Sequence, residues 1–297
     1  AKQPGPPTLW AWATLIACAA ALWTTPAPPS SATFFGLIQC DLFSLAFRWL
    51  ALGTTAVVVL LVMGSDDVPS GLRGEYLGLI LLVAVGLMLM AEANHLLMAY
   101  LAIELVSLGG YVLVGLLDER RSAEAALKYL LFGALASGIM LYGMSLLFGL
   151  TGQLGFAEIA RSAAALNGLS QPALLVAAAL MLAGVAFKIS MVPFHMWTPD
   201  AYEGAPIPVT ALLSVGPKAA GLALLVRLMM ALGPAWPALG PILLALTIMT
   251  MTLGNLVALA QTNVKRLLAY STIGQVGYLL IGFVVNNGGT PMIAPPG

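Results

Sequence analysis

Nine stretches of this chain are long and apolar enough to cross a bilayer, and that sets the class of fold before any single residue is considered. They lie roughly at 9–25, 42–63, 76–91, 94–117, 123–150, 172–192, 207–232, 238–260 and 266–285. A helix needs about 20 apolar residues to span the hydrocarbon core. Barrel strands would be shorter and would alternate apolar with polar, which these runs do not. Charged residues make up 8% of the chain, against about a quarter in a soluble domain, and the mean hydropathy is +0.97. The expected fold is an all-α polytopic transmembrane helix bundle in a lipid bilayer.

Charge and cysteine content exclude several functions. Twelve basic and twelve acidic residues cancel, so there is no basic footprint for nucleic acid. Cys18 and Cys40 have no metal-ligand spacing, and with two histidines they make no haem, iron–sulfur or zinc constellation. No glycine-rich loop matches a nucleotide fingerprint. The chain is expected to carry no cofactor and no metal.

The first run follows Lys2 and has the length of a signal-peptide core. Trp10, Trp12 and Trp23 at its two ends form an interfacial aromatic belt, which favours a true span. The chain opens on Ala1 and a Pro/Gly cluster, as a segment beginning partway into a longer protein would. If loops alternate sides, Lys2, Arg73, Arg120, Arg121, Lys265 and Arg266 collect on one side and Arg161 and Arg227 on the other. The positive-inside rule then places residue 1 on the cytoplasmic side. Loops are short, and only the connections near 151–171 and 193–206 have room for a structured excursion. Asn286–Gly297, rich in Gly and Pro, reads as a loop or a stop.

The informative residues are ionisable groups inside the spans: Glu104, Lys128, Lys188 and Lys218. Each costs about 2.5–3.5 kcal/mol at a helix centre, so four unpaired groups would cost roughly 10 kcal/mol. They persist only facing the bundle interior, one another or water, and proton relays are a common use of such groups. Lys128 is near a span end and could snorkel to the headgroups; Glu104 could be its structural ion-pair partner. Lys188 and Lys218 lie deeper. Arg48 and Glu92 fall near span ends and read as interfacial anchors, and His95 sits at a turn. A buried lysine suits proton carriage because a nearby charge can switch its protonation. Ser107, Ser137, Ser190, Thr210 and Ser214 could hold water or simply bond to their own helices.

Prolines mark the two deep lysines. Pro193 cannot donate to the carbonyl of Ile189, beside Lys188, and Pro217 cannot donate to that of Leu213, just before Lys218. The stretch PFHMWTPDAYEGAPIP, Pro193–Pro208, contains four prolines with His195, Asp200 and Glu203. It reads as a helix break and re-entry of the kind that lines polar cavities at membrane depth; a plain kinked helix is the alternative.

Three blocks resemble the antiporter-like membrane subunits of respiratory complex I, the NADH-quinone oxidoreductase subunit N and NDH subunit 2 family. They are FKISMVPFHMWTPDAYEGAPIPVTALLSVGPKAAG (Phe187–Gly221), TLGNLVALAQTNVKRLLAYSTIGQVGYLLIGF (Thr252–Phe283), and IELVSLGGYVLVG…RRSAEAALKYLLFG (Ile103–Gly133). The resemblance spans essentially the whole chain and is weakest over the first 70 residues. It implies that Glu104 and Lys128 form a charged pair, that Lys188 is the central lysine on a broken helix, and that Lys218 is the lysine of the following helix. It also implies proton conduction in a complex I-like assembly, driven by electron transfer from NADH, NAD(P)H or ferredoxin to quinone in a separate arm. The chain itself carries no redox group, and its partners are other membrane-arm subunits. The implied location is the bacterial inner (plasma) membrane or the thylakoid.

Against the two inverted repeats of that family, this sequence reads as lacking the first helix and most of the second repeat. The resulting division is 1–75, N-terminal helices and loops; 76–235, the first repeat with its broken helix; and 236–297, the start of the second. In this reading Glu104 and Lys128 bias Lys188 and Lys218, which exchange a proton in the cytoplasmic half-channel. A stand-alone cation/proton antiporter subunit of the same superfamily, or a purely structural membrane-arm subunit, are the other readings.

Overall fold

A computed structural model describes residues 6–24, 31–168 and 170–285. Lys2 and the segment 286–297 therefore lie outside the described residues. The described residues contain nine helices long and apolar enough to cross a membrane, as the sequence led us to expect. In chain order the helices are α1 (Pro6–Thr24), α2 (Leu42–Gly64), α3 (Arg73–Glu92), α4 (Leu96–Gly115), α5 (Arg120–Thr151), α6 (Phe156–Ala164), α7 (Ser170–Ile189), α8 (Trp197–Gly204), α9 (Ile207–Ala231), α10 (Trp236–Leu259) and α11 (Val264–Val285). α6 and α8 are the short ones, and they occupy the two connections singled out as long enough for an excursion. A small antiparallel hairpin, β1 (Ser31–Thr33) and β2 (Ile38–Cys40), adds an excursion that the apolar pattern did not signal.

Helix starts follow from local chemistry. Asp41 opens α2 with a capping box, accepting from Ser44 N at 2.7 Å while Ser44 Oγ accepts from Asp41 N at 3.0 Å. His95 caps α4 through Nδ1, which accepts from Leu97 N at 3.2 Å. The turn residue of the sequence reading thus has a definite task. α6 buries Phe156, Ile159 and Ala163 on one face and turns Glu158 and Arg161 outward as an ion pair at 3.1 Å.

The chain divides into two compact units. The first comprises the residues up to Leu131 together with Ala201–Leu224. Lipid supplies no hydrophobic drive between helices, so close approach through small residues must hold them. Gly86 in α3 and Gly216 in α9 allow this: a methyl added at Gly86 would lie 3.3 Å from Val106 N, and one at Gly216 would lie 2.7 Å from Leu87 Cδ1. The second unit comprises Phe132–Asp200 and the residues from Leu225 on. There Gly143 of α5 meets the α7 backbone, where a methyl would stand 2.7 Å from Met181 N, and Gly254 of α10 meets Gly274 of α11. Large side chains such as Leu135, Leu141, Leu244 and Ile248 are exposed, as lipid-facing positions require.

Candidate functional site

Lys188 stands in the last turn of α7 and is fully buried. The helix stops there for a specific reason. Ser190 takes a left-handed conformation, φ 62°. Its N–H bonds to Phe187 O at 3.1 Å, and Met191 N bonds to Ala186 O at 2.8 Å. These two bonds form a Schellman motif, here with serine where glycine is usual. The sequence reading placed the break at Pro193 and its effect on the Ile189 carbonyl. In the structure α7 has already ended at Ile189, so the expected span of 172–192 closes early. The consequence for Lys188 is electrostatic: the negative end of the helix dipole lies in its own turn, a favourable place for a cation.

The chain beyond the break is stitched in place. Val192 N donates to Thr250 Oγ1 of α10 at 3.1 Å, Trp197 Nε1 donates to Phe187 O at 3.0 Å, and Thr198 Oγ1 donates to Ser190 Oγ at 2.7 Å. Asp200 of α8 pairs with Arg266 of α11 at 2.7 Å. His195, outside the nine spans, is buried; that burial lowers its pKa from the ordinary histidine value, against a backbone hydrogen bond at Pro193 that raises it. Each of these contacts lies within the second unit.

Lys218 belongs to the first unit and is 3% exposed. Here the proline reasoning holds atom by atom. Pro217 sits inside α9 with no N–H for the Leu213 carbonyl. Lys218 Nζ donates to that same carbonyl at 3.1 Å. A second bond runs from Nζ to the Tyr202 hydroxyl at 2.8 Å, and Nζ lies 5.1 Å from the centroid of the Tyr202 ring. Thr210 Oγ1 in turn donates to Tyr202 O at 3.1 Å, which fixes the tyrosine's backbone. A buried ammonium is thus met by two oxygens and an aromatic face.

Glu104, half-buried on α4, and Lys128, half-buried on α5, are in the same unit as Lys218. Lys128 forms an ion pair with Glu124 one turn earlier on α5, at 2.9 Å, a pairing the sequence reading did not consider. Arg48 and Glu92, read as separate interfacial anchors, are ion-paired with each other, and Arg48 also reaches Cys40 Sγ at 3.2 Å. Three further features escaped the sequence reading. Arg227 is buried at 4% exposure in α9, where its position near an apolar run's end disguised it. Tyr202 and Thr250 carry no charge to draw the eye. The candidate water-holding hydroxyls of Ser107 and Ser214 bond back to their own helices.

Apolar spans with ionisable groups held at interruptions of the helices define a class of multi-pass membrane protein. Residues 93–294 match the family described as NADH:quinone oxidoreductase/Mrp antiporter, transmembrane, and the chain belongs to that family. It is 42% identical over 292 residues to NADH-quinone oxidoreductase subunit N of Anaeromyxobacter sp. (strain Fw109-5), covering 90% of this chain and 56% of that protein. It is 44% identical over 271 residues to NAD(P)H-quinone oxidoreductase subunit 2 of Microcystis aeruginosa, covering 90% and 53%. Among solved structures, a chain of respiratory complex I from Thermus thermophilus superposes with a TM-score of 0.79 at 37% identity, covering 95% of this chain and 60% of that one. The chain therefore spans a little over half the length of these relatives.

Proposed function

We infer that this chain is a proton-translocating part of the membrane arm of a complex I-like oxidoreductase that passes electrons from NADH, NAD(P)H or ferredoxin to quinone. Other membrane-arm subunits are its partners. It sits in a bacterial inner membrane or a thylakoid, with residue 1 on the cytoplasmic side. Lys188 and Lys218 are the buried proton carriers, and Glu104 and Lys128 bias their protonation. The observation that carries the reading is the surroundings of Lys218: a deeply buried amine bonded to a carbonyl that Pro217 leaves free and to a phenol. Such a site costs several kcal/mol to maintain in a membrane, and packing alone would be met by an apolar residue. The names and folds of the relatives support the same reading.

The test is Lys218→Met in the parent complex, reconstituted in sealed vesicles, with proton uptake and quinone reduction followed together. The expected outcome is an assembled complex whose protons pumped per electron fall clearly below the wild-type ratio. An unchanged ratio would remove Lys218 from the mechanism and leave a structural subunit.

A further inference from the structure

Two oxygens meet Lys218 Nζ, and they differ in what they can do. The Leu213 carbonyl, 3.1 Å away, only accepts hydrogen bonds. The Tyr202 hydroxyl, 2.8 Å away, both accepts and donates. Tyr202 is 0% exposed and Lys218 is 3% exposed. Phenylalanine would keep a ring beneath Nζ, 5.1 Å from its centroid, without taking a hydroxyl out of water. The hydroxyl is therefore more than packing or the ring contact asks for. The end of α8 that carries the tyrosine is fixed on two sides, all within the first unit. Thr210 Oγ1 shares its proton between Tyr202 O at 3.1 Å and Pro206 O at 3.3 Å, which ties this end to the first turn of α9. Gly204, two residues after the tyrosine, brings it against α5: a methyl there would lie 2.9 Å from Arg121 O.

A lysine that carries protons is neutral for part of each cycle. As an ammonium, Nζ has three N–H donors and no lone pair. As an amine it keeps two donors and gains a lone pair, which needs a donor of its own. The Leu213 carbonyl serves an N–H in either state but can offer nothing to the lone pair, and a buried acceptor left without a donor is costly. We propose that Tyr202 is a positioning residue that serves Lys218 in both charge states. Its oxygen accepts from the ammonium, and its O–H turns to donate to the lone pair of the amine. No proton passes through the phenol and no covalent bond of Tyr202 breaks; the O–H rotates about the C–O bond as Nζ loses its proton, and rotates back when the proton returns. Nζ thereby keeps one location through the cycle. The inference rests on the reading of Lys218 as a proton carrier and names the group that holds the carrier in place while it is neutral.

The experiment uses the parent complex in sealed vesicles, with tyrosine carrying 13C at its ring C–O carbon placed at position 202 alone. The label leaves the chemistry of the site unchanged. A phenol that donates has a higher C–O stretching frequency than one that only accepts, so infrared difference spectra read the switch directly. The labelled band is expected to move between the two positions when the oxidoreductase is driven. A band that stays constant through turnover overturns the proposal, and so does one that still moves in Lys218→Met. Tyr202→Phe keeps the ring and removes the hydroxyl. It is expected to assemble and to pump at least about tenfold more slowly, the scale of one lost bond to a charged group. Full pumping by that variant overturns the proposal, and if it fails to assemble the labelled band decides. If Lys218→Met pumps normally, the proton-carrier reading falls and the proposal with it. If Lys218→Met pumps less per electron while the labelled band of the otherwise unchanged complex stays constant, the proposal alone is wrong.

Discussion

Pro217→Ala separates what stabilises α9 from what serves Lys218. Alanine restores an N–H at position 217, and its natural acceptor is the Leu213 carbonyl that Lys218 Nζ now occupies at 3.1 Å. On the helix side the exchange gains up to about 3 kcal/mol, the difference between Pro and Ala in a helix interior. On the lysine side a bond to a charged donor is weakened, at a cost of up to about 1.5–3 kcal/mol. At about 1.4 kcal/mol per factor of ten, the ammonium would occupy its present geometry roughly ten- to a hundredfold less often. The Tyr202 bond at 2.8 Å remains, so the loss is partial. The complex should therefore melt no lower than wild type, by scanning fluorimetry or calorimetry, while pumping per electron in vesicles falls. Normal pumping, or a lower melting temperature with normal pumping, would refute the idea that the proline exists to free this carbonyl.

Two further outcomes follow from the packing. Thr250→Val leaves the Val192 N–H buried without its acceptor, so the complex should lose about 1–3 kcal/mol of stability; Thr250→Ser should recover most of it in the same melting assay. Gly110→Ala places a methyl against Tyr129 and should cost about 1–3 kcal/mol as overpacking. Gly138→Ala, with nothing within 4 Å, should be neutral or slightly stabilising by comparison.

Spans, and the ionisable groups within them, are legible in sequence because each depends on a local run of side chains against a fixed bilayer thickness. The role of Pro217 was legible for the same reason: donor and acceptor are four residues apart in one helix. The end of α7 was not. Ser190 adopts a conformation that serine seldom takes, and the chain around it is held by bonds that no local pattern reveals, from Thr198 Oγ1 to Ser190 Oγ, from Trp197 Nε1 to Phe187 O and from Val192 N to Thr250 Oγ1. The pairing of Arg48 with Glu92 joins residues 44 apart, so each alone looked like a surface anchor. Lys128 and Glu124 satisfy a helix-spacing rule, but Glu124 is exposed and does not stand out as a charge stranded in a span. Tyr202, which bonds Lys218 Nζ, carries no charge, so nothing in the local sequence sets it apart.

The most direct measurement is isotope-edited infrared difference spectroscopy on the parent complex with 15N-lysine, using Lys188→Met and Lys218→Met to assign the bands. When the oxidoreductase is driven, ammonium bands belonging to these two lysines should appear and disappear with turnover. Bands that stay constant through turnover would mean that both lysines keep one charge state, and the proton would have to travel by another route.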